Sequence, residues 1–437
     1  MSVNYFKLSK FFLFISVLCI SVVTVSTLFP FIVGKYVWFR LSVDLAFLFF
    51  LLGLLLQDKL SIISNQLLTV FRKPIVIAVS IFILIFLLAC FFSVDPKMSF
   101  WSNFERGEGG FQMLHFYIFF LLLITLLREE DWQKLFIFAL IGGLGMAFYG
   151  LFAGFGFQNF VGIKFSDSGF RFQGSIGNPA YVAAYSIFMI FYALYLLISK
   201  YKKHLFSFGA SMLWFLILLF SIVFFAAATR GAFLGLITAT FFFFVYLIFT
   251  GGKKLRKWLI PIIIFIILTV GLMIGFKDSA FIKSLPGSRI FDISISAQTF
   301  QHRFIMWETA IEGWKEKPLL GWGPENYLKI FDQKFNTKYF VPSEDFGAWF
   351  DRAHSIYFDY LAETGILGLL SFLAIFFVFY WQFFKKGRSL FFIQGALIFS
   401  IPIAYLVQGI VLFDVLPIYM NIFLFLAFVT YKFQIKN

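Results

Sequence analysis

Apolar residues along this 437-residue chain come in long blocks that short polar stretches separate. A helix that crosses a bilayer needs about 20 mostly apolar residues. Twelve segments are close to this requirement, and each is expected to form one transmembrane helix. They are 11–33, 38–56, 74–93, 111–127, 132–154, 178–198, 206–228, 231–250, 257–276, 355–382, 390–412 and 414–431. The pattern therefore predicts an all-α, polytopic membrane protein with about 12 transmembrane helices.

One polar stretch, residues 277–353, is much longer than the others and contains no segment apolar enough to span a bilayer. Within it, four large apolar side chains recur at helical spacing between positions 304 and 314. They are Phe304, Trp307, Ile311 and Trp314. This spacing predicts a short amphipathic helix that rests on the membrane surface or over the bundle. The expected organisation is nine helices in 1–276, a loop or lid in 277–353 and three helices in 354–437.

The composition agrees with a membrane protein. The chain is 61% hydrophobic and only 13% charged, whereas a soluble domain has about a quarter charged residues. A net charge of +14 could indicate a nucleic-acid partner. Here the basic residues lie in short loops between apolar segments, so membrane topology explains them better and no nucleic-acid partner is expected. Cys19 and Cys90 fall inside apolar segments, and the four His are not clustered, so no metal site is expected.

The distribution of Lys and Arg predicts the orientation. With the N-terminus in the cytoplasm, the cytoplasmic segments hold nineteen basic residues and the short outer loops hold seven. Cytoplasmic loops carry the excess of Lys and Arg in membrane proteins. Both termini are therefore expected in the cytoplasm and loop 277–353 outside. The segment 11–33 is interpreted as a span and not as a cleaved signal peptide, because no small-residue cleavage site follows it.

Arginines in the outer loops run against this bias, so each needs an explanation. Arg230 stands between two spans, where it either extends its side chain to the lipid headgroups or binds an anion inside the bundle. Arg171 precedes a turn in which Asn178 and Pro179 are typical of a helix start. A helix start beside an Arg can bind an anion, although such turns are also common without a ligand.

The end of the long loop holds a second candidate site. His354 and Ser355 precede the tenth span, where Ser355 can cap the new helix and the helix start keeps His354 a neutral base. Glu363 lies inside the span, where an ionisable group has a functional role or a partner such as an Arg of the loop. Gly365 and Gly368 would admit a neighbouring helix. The alternative for His354 is a structural residue held by hydrogen bonds.

These residues favour one kind of chemistry. The outer end of the bundle offers one base and several Arg, with no metal cluster, nucleotide-binding loop or Ser/His/Asp set. Arg side chains would bind an anionic donor and stabilise its leaving group. His354 would deprotonate an acceptor hydroxyl. A lipid-linked diphosphate glycan fits, because ATP and nucleotide sugars are lacking outside the cytoplasmic membrane.

Four patches, in their order along the chain, resemble the O-antigen ligase and O-antigen polymerase family of bacterial membrane glycosyltransferases. They are residues 174–179, residues 228–235, the run from Arg303 through Trp307 and Pro318 to Gly323, and the run from His354 to Gly368. The long loop between the ninth and tenth spans makes the combination more specific. The resemblance covers roughly 170–370, and the twelve-span layout extends it to the whole chain.

The resemblance implies a metal-independent, inverting transfer of a glycan from an undecaprenyl-diphosphate carrier to an acceptor hydroxyl, without a cofactor. The implied partners are this donor, a lipid- or glycan-linked acceptor and the surrounding membrane lipids, and the implied location is the bacterial cytoplasmic membrane. The implied residues are His354 as the catalytic base, Arg230, Arg303 and Arg171 as diphosphate ligands, and Glu363 and Asn178 as supporting residues. Many relatives have Asn where this chain has Ser355, which is a mild departure.

Three functions stay open at this point. The first is a ligase that transfers the glycan to lipid A–core or a similar surface molecule, and the His354 to Gly368 spacing favours it slightly. The second is a polymerase whose acceptor is another lipid-linked repeat unit. The third is a transporter of lipid-linked sugars, which would need ionisable groups near mid-membrane. The chain has few of these, with Asp44 and Glu363 the main ones, so a transporter is the least favoured.

Overall fold

In the computed structural model the chain is folded almost entirely into helices, as the apolar blocks predict. The structure describes residues 4–56, 68–103, 105–154, 163–166, 169–285, 288–291, 298–334, 350–386 and 392–434. Of the expected loop 277–353, three stretches lie outside the described residues: 286–287, 292–297 and 335–349. The β-structure within the described part is one antiparallel hairpin, formed by β1 (Ile163–Ser166) and β2 (Gly169–Phe172).

The helices lie close to the predicted segments. In chain order they are α1 (Tyr5–Ser16), α2 (Val33–Leu56), α3 (Pro74–Phe91), α4 (Pro96–Trp101), α5 (Gly110–Leu126), α6 (Glu129–Gly154), α7 (Pro179–Lys200), α8 (Phe208–Ala226), α9 (Arg230–Thr250), α10 (Lys253–Gly275), α11 (Ala280–Ser284), α12 (Gln298–Glu316), α13 (Tyr327–Lys334), α14 (Ile356–Lys386), α15 (Phe392–Gln408) and α16 (Leu416–Lys432).

By length and composition, eight of the described helices can cross a membrane: α2, α3, α6, α7, α8, α9, α10 and α14. Three further apolar helices, α5, α15 and α16, have 17 residues each, which is near the lower limit of about 17 for a span. These eleven helices correspond to eleven of the twelve predicted spans. The fold is that of an all-α polytopic membrane protein.

The first predicted span, 11–33, differs most from the structure. The side chain of Asn4 caps α1, so the helix begins before the apolar block does. A short 3-10 helix, Val17–Ser21, follows α1. The chain then turns, and Thr24 N donates a hydrogen bond to Pro30 O at 3.0 Å. Capping and turn hydrogen bonds set these limits, and a window of apolar residues does not register them.

α16 is a central helix of the bundle, with fourteen of its 17 residues buried. Phe423 stacks on Phe116 of α5 with ring centroids 5.6 Å apart. Tyr192 of α7 donates its hydroxyl to Asn421 Oδ1 at 2.8 Å. By contrast, only 11% of the most apolar window of α10 is buried, as expected for a helix whose apolar side chains face lipid.

α14 is broken at Gly365, which has a φ of +66°. A Cβ at this position would lie 2.3 Å from Leu319 O. The break receives the loop segment 318–323, and Gly323 N donates to Glu363 O at 2.8 Å. Gly365 therefore admits a loop, not the neighbouring helix that the glycine spacing predicts. A loop can fill the gap because its peptide groups pair with those that the break frees.

The described part of the polar loop packs over the start of α14. The predicted amphipathic helix is α12, but its buried face differs from the one expected. Met306 and Ala310 are buried, whereas Phe304 is 44% exposed. The helix α13 packs on this face: a Cβ at Gly313 would lie 2.3 Å from the Ile330 side chain, and Tyr327 Oη donates to Met306 O at 2.6 Å. Hydrophobicity alone ranks Phe above Ala, so the sequence places the larger residue inward.

The loops at one end of the bundle contact one another across long distances in sequence. Lys35 Nζ donates to Ser175 O at 2.6 Å, and Ser99 Oγ donates to Pro324 O at 2.7 Å. Lys35 lies near the start of α2 and Ser99 in α4, and each contacts a segment between two longer helices. The candidate site lies at this end of the bundle.

Candidate active site

His354 lies in the turn that leads into α14. Its φ is +54°, a conformation that costs about 1–3 kcal/mol for a residue other than glycine and persists where the surroundings enforce it. Its Nδ1 lies 3.1 Å from the carbonyl oxygen of Arg352. A carbonyl oxygen only accepts hydrogen bonds, so Nδ1 carries the proton and Nε2 keeps its lone pair. The turn thus fixes the tautomer in which Nε2 can act as a base.

Two contacts hold this turn. Asp359, in the first turn of α14, accepts a hydrogen bond from Ala353 N at 2.7 Å. Ile356 N donates to Gly409 O at 2.9 Å, which joins the start of α14 to the loop after α15. The side chain of Ser355 does not cap the helix as expected: its Oγ is buried with no hydrogen-bond partner in the described part of the chain. Asp359 binds the turn instead.

The structure brings the three predicted arginines close to one another. Arg171 Nη2 donates to Thr229 Oγ1 at 3.2 Å, and Arg171 Nε donates to Ala227 O at 3.3 Å. These contacts hold Arg171 beside Arg230, the first residue of α9. Arg303 on α12 lies close enough to Arg230 for the two charges to interact.

Burial lowers the pKa of Arg303 below its ordinary value, and the positive charge of Arg230 lowers it further. Arg303 Nε is buried and has no hydrogen-bond partner among the described residues. Two like charges and an unpaired donor are costly to hold together in a partly buried place. An anion bound between them would relieve both costs.

His354 belongs to the same group of residues. Burial lowers the pKa of its imidazole below the ordinary value of 6.5, and the charge of Arg303 lowers it further. The Arg352 carbonyl acts in the opposite direction. The side chain is therefore neutral at pH 7, which is the state that a general base needs.

A buried ion cluster that the sequence did not predict lies next to His354. Arg352 Nη1 donates to both carboxylate oxygens of Glu363, at 2.9 and 3.0 Å. Its Nη2 contacts Glu325 and donates to Glu108 Oε2 at 3.3 Å. The side chains of all four residues are at most 7% exposed. Glu363 is thus paired with an arginine of the loop, which is one of the two roles that the sequence suggested for it.

One guanidinium faces three carboxyl groups in this cluster, so the carboxyl groups outnumber the cation. Burial raises the pKa of Glu108 to about 8, and Glu325 contributes in the same direction while Arg352 opposes it. Tyr36 Oη donates to Glu108 Oε1 at 2.9 Å. The cluster ties four parts of the chain, namely α2, the loop before α5, the loop before α13 and α14, to Arg352, whose carbonyl fixes the tautomer of His354.

A second ion pair lies at the edge of the cluster. Arg106 binds Asp351 with two hydrogen bonds, at 2.5 and 2.8 Å. The Arg106 guanidinium also lies 5.1 Å from the ring centre of Phe413. The ring of Phe413 meets the His354 imidazole edge to face, with centroids 5.1 Å apart. Phe413 therefore packs against the candidate base, and Arg106 packs against Phe413.

Asn178, in the turn that the sequence places at a helix start, caps α7: its Oδ1 accepts a hydrogen bond from Ala180 N at 2.8 Å. It does not contact His354 but lines a neighbouring pocket together with Arg106. The sequence carried some signal for the residues that were missed. Arg352 lies two positions before His354, and Asp359 lies one helical turn after it. Two partners of Arg352, Glu108 and Glu325, are too distant from it in sequence to be inferred.

Comparison with known proteins adds to this geometry. Residues 214–373 match the family model described as O-antigen ligase. This match supports assigning the chain to the O-antigen ligase family. A search of the curated proteins finds no match.

The O-antigen ligase match includes the candidate base and two of its neighbours, Arg230, Arg303 and His354, while Arg171 and Glu108 precede it. The family implies lipid-linked glycan substrates in a membrane and suggests a glycosyltransferase-like enzyme. With the apolar helices, it suggests a multi-pass bacterial membrane protein.

Proposed function

We propose that the chain is an inverting, metal-independent glycosyltransferase of the O-antigen ligase type. Its donor is a glycan on undecaprenyl diphosphate, and its acceptor is a hydroxyl of lipid A–core or a similar surface molecule. The observation that carries the proposal is the grouping of Arg230, Arg303 and His354, in which two adjacent cations lie beside a neutral imidazole.

The arginines would bind the diphosphate of the donor. A diphosphate would bind between Arg230 and Arg303, where it would offset their mutual repulsion and accept a hydrogen bond from Arg303 Nε, which has no partner among the described residues. Guanidinium groups match phosphate oxygens in geometry as well as in charge. Arg171, which is held beside Arg230, would be a third ligand.

His354 would activate the hydroxyl of the acceptor. In the proposed step, His354 Nε2 takes the proton of the acceptor hydroxyl while its oxygen bonds to the anomeric carbon of the donor sugar. The bond from that carbon to the diphosphate oxygen breaks, and undecaprenyl diphosphate leaves. Attack opposite the leaving group inverts the anomeric centre. The arginines stabilise the negative charge that develops on the leaving oxygen.

The proposed topology places this site at the outer face of the cytoplasmic membrane, with both termini in the cytoplasm. The excess of Lys and Arg in the opposite loops supports it. The polar loops also meet at one end of the bundle, next to the candidate base. An enzyme at that face meets donors that have already been carried across the membrane.

A deletion strain of the host tests the function. The lipid-linked glycans of this strain are extracted and sized by mass spectrometry. Loss of a ligase should leave full-length glycan on undecaprenyl diphosphate and an acceptor without glycan. Single repeat units on the carrier would indicate a polymerase. An unchanged pool of carrier-linked glycan at the outer face would contradict both transfer functions.

Replacing Arg230 or Arg303 by Lys should raise the KM for the lipid-linked donor about tenfold or more, because Lys keeps the charge but loses the paired contacts to phosphate oxygens. The measurement is transfer by the purified variants with donor and acceptor extracted from the deletion strain. The matched control is Arg256→Lys, at the start of α10, where Arg256 Nε donates at 2.7 Å to Ile248 O near the far end of α9. Equal donor KM values for all variants would argue against diphosphate binding by these arginines.

A further inference from the structure

The pocket that Asn178 and Arg106 line adjoins the candidate site. It has a volume of about 190 Å³ and lies among the loops before α2, α5 and α7 and the start of α16. This is more than ten times the roughly 15 Å³ that one water needs. Its lining includes Phe31, Tyr36, Tyr181 and Pro417. Apolar and aromatic walls with a few polar groups are typical of a small-molecule site.

Two polar groups in this pocket have no partner among the described residues. Tyr181 is only 8% exposed, yet its hydroxyl makes no hydrogen bond within the described part of the chain. Asn178 caps α7 through Oδ1, which leaves its Nδ2 amide without a described partner at the exposed rim. Both groups could bind a ligand hydroxyl.

The charges of the pocket do not suit a diphosphate. Lys35 Nζ already donates to Val22 O and Ser175 O, each at 2.6 Å. Arg106 is engaged by Asp351 through two hydrogen bonds. Two carboxyl groups, those of Glu105 and Glu108, also line the pocket. Carboxyl oxygens repel phosphate but accept hydrogen bonds from hydroxyl groups.

One aromatic ring contacts both a lining residue of the pocket and the candidate base. The ring of Phe413 meets Tyr181 edge to face with centroids 5.6 Å apart, and it meets His354 at 5.1 Å. The pocket therefore lies next to the candidate base, with Phe413 in contact with both. Within the described lining of the pocket, the arginines assigned to the donor do not occur.

We infer that this pocket binds a sugar of the acceptor glycan, next to the sugar whose hydroxyl reaches His354. The inference rests on the proposed transferase function and extends it to the second substrate. Tyr181 Oη and Asn178 Nδ2 hydrogen-bond hydroxyls of the bound sugar. Phe31 and Tyr36 contact the apolar face of its ring, and Glu105 accepts a hydrogen bond at the rim.

Removing the Tyr181 hydroxyl tests the inference. Tyr181→Phe should raise the KM for the acceptor glycolipid about threefold to tenfold, which is the effect of one lost hydrogen bond. The donor KM should be unchanged, and kcat at saturating acceptor should be within about twofold of the original. Asn178→Asp keeps the helix cap but removes the amide donor, and it should act in the same direction. Both substrates come from the deletion strain.

The matched control is Tyr185→Phe. Tyr185 lies one turn further along α7, and its hydroxyl donates to Ala139 O at 3.4 Å away from the pocket. This variant should keep the original acceptor KM. An unchanged acceptor KM in both Tyr181→Phe and Asn178→Asp would overturn the inference. A raised donor KM with an unchanged acceptor KM would overturn it too, because the pocket would then belong to the donor.

A binding measurement separates this inference from the proposed function. The probe is the free oligosaccharide that mild acid releases from the acceptor glycolipid, and saturation-transfer NMR with the full chain in detergent micelles detects its binding. Binding that Tyr181→Phe weakens supports the pocket, even if the unmodified protein shows no transfer and the proposed function fails. Equal binding by both proteins overturns the pocket, even if transfer is observed.

Discussion

Replacing His354 by Ala should lower the rate of glycan transfer about a hundredfold to ten-thousandfold, the usual contribution of a general base. Donor affinity should stay close to the original, because the arginines that are proposed to bind the diphosphate are unchanged. The measurement combines single-turnover transfer with equilibrium binding of the lipid-linked donor. A variant that transfers glycan at the original rate would exclude His354 as the base.

The control for this substitution is His204→Ala. His204 is exposed in the turn after α7, at the opposite end of that helix from Asn178. The His204→Ala substitution should have no effect on the rate of glycan transfer. The pH dependence gives a second readout, since protonation removes the lone pair of the base. The pKa of His354 is lowered from 6.5 by burial and by Arg303. The transfer rate should therefore fall only when the pH drops below 6.5.

Replacing Arg352 by Met should lower the free energy of unfolding by about 3–5 kcal/mol, the cost of leaving a buried charge without its partner. The substitution removes the cation that faces Glu108, Glu325 and Glu363. We expect it to loosen the turn at His354 as well, because the Arg352 side chain anchors the residue whose carbonyl holds the imidazole. Unfolding by SDS titration in mixed micelles measures the change.

Two comparisons test this explanation. Arg128→Met removes an exposed arginine at the start of α6 and should change the free energy of unfolding by less than about 0.5 kcal/mol. Adding Gln at positions 108, 325 and 363 to Arg352→Met should recover much of the lost stability, because no buried carboxylate then lacks a cation. If Arg352→Met were as harmless as Arg128→Met, the cluster would contribute nothing to folding.

The sequence alone predicted most of the membrane helices, because an apolar block long enough to span a bilayer is a local property. It also singled out His354, Arg230 and Arg303, which stand at or near helix starts where polar residues interrupt apolar blocks. Their proximity to one another is a property of the structure. Arg230 and Arg303 come from helices that the apolar α10 and a long polar segment separate.

Only the tertiary structure revealed the ion cluster of Arg352. Glu108 lies 244 positions away from it in sequence, so no spacing rule connects the two. The same is true of the pocket inferred to bind the acceptor, which three loops and the start of α16 line. The buried face of α12 and the break of α14 at Gly365 also depended on what packs against them. Local periodicity reports which residues avoid water, but pairing between distant segments decides which charges, hydroxyls and backbone groups meet.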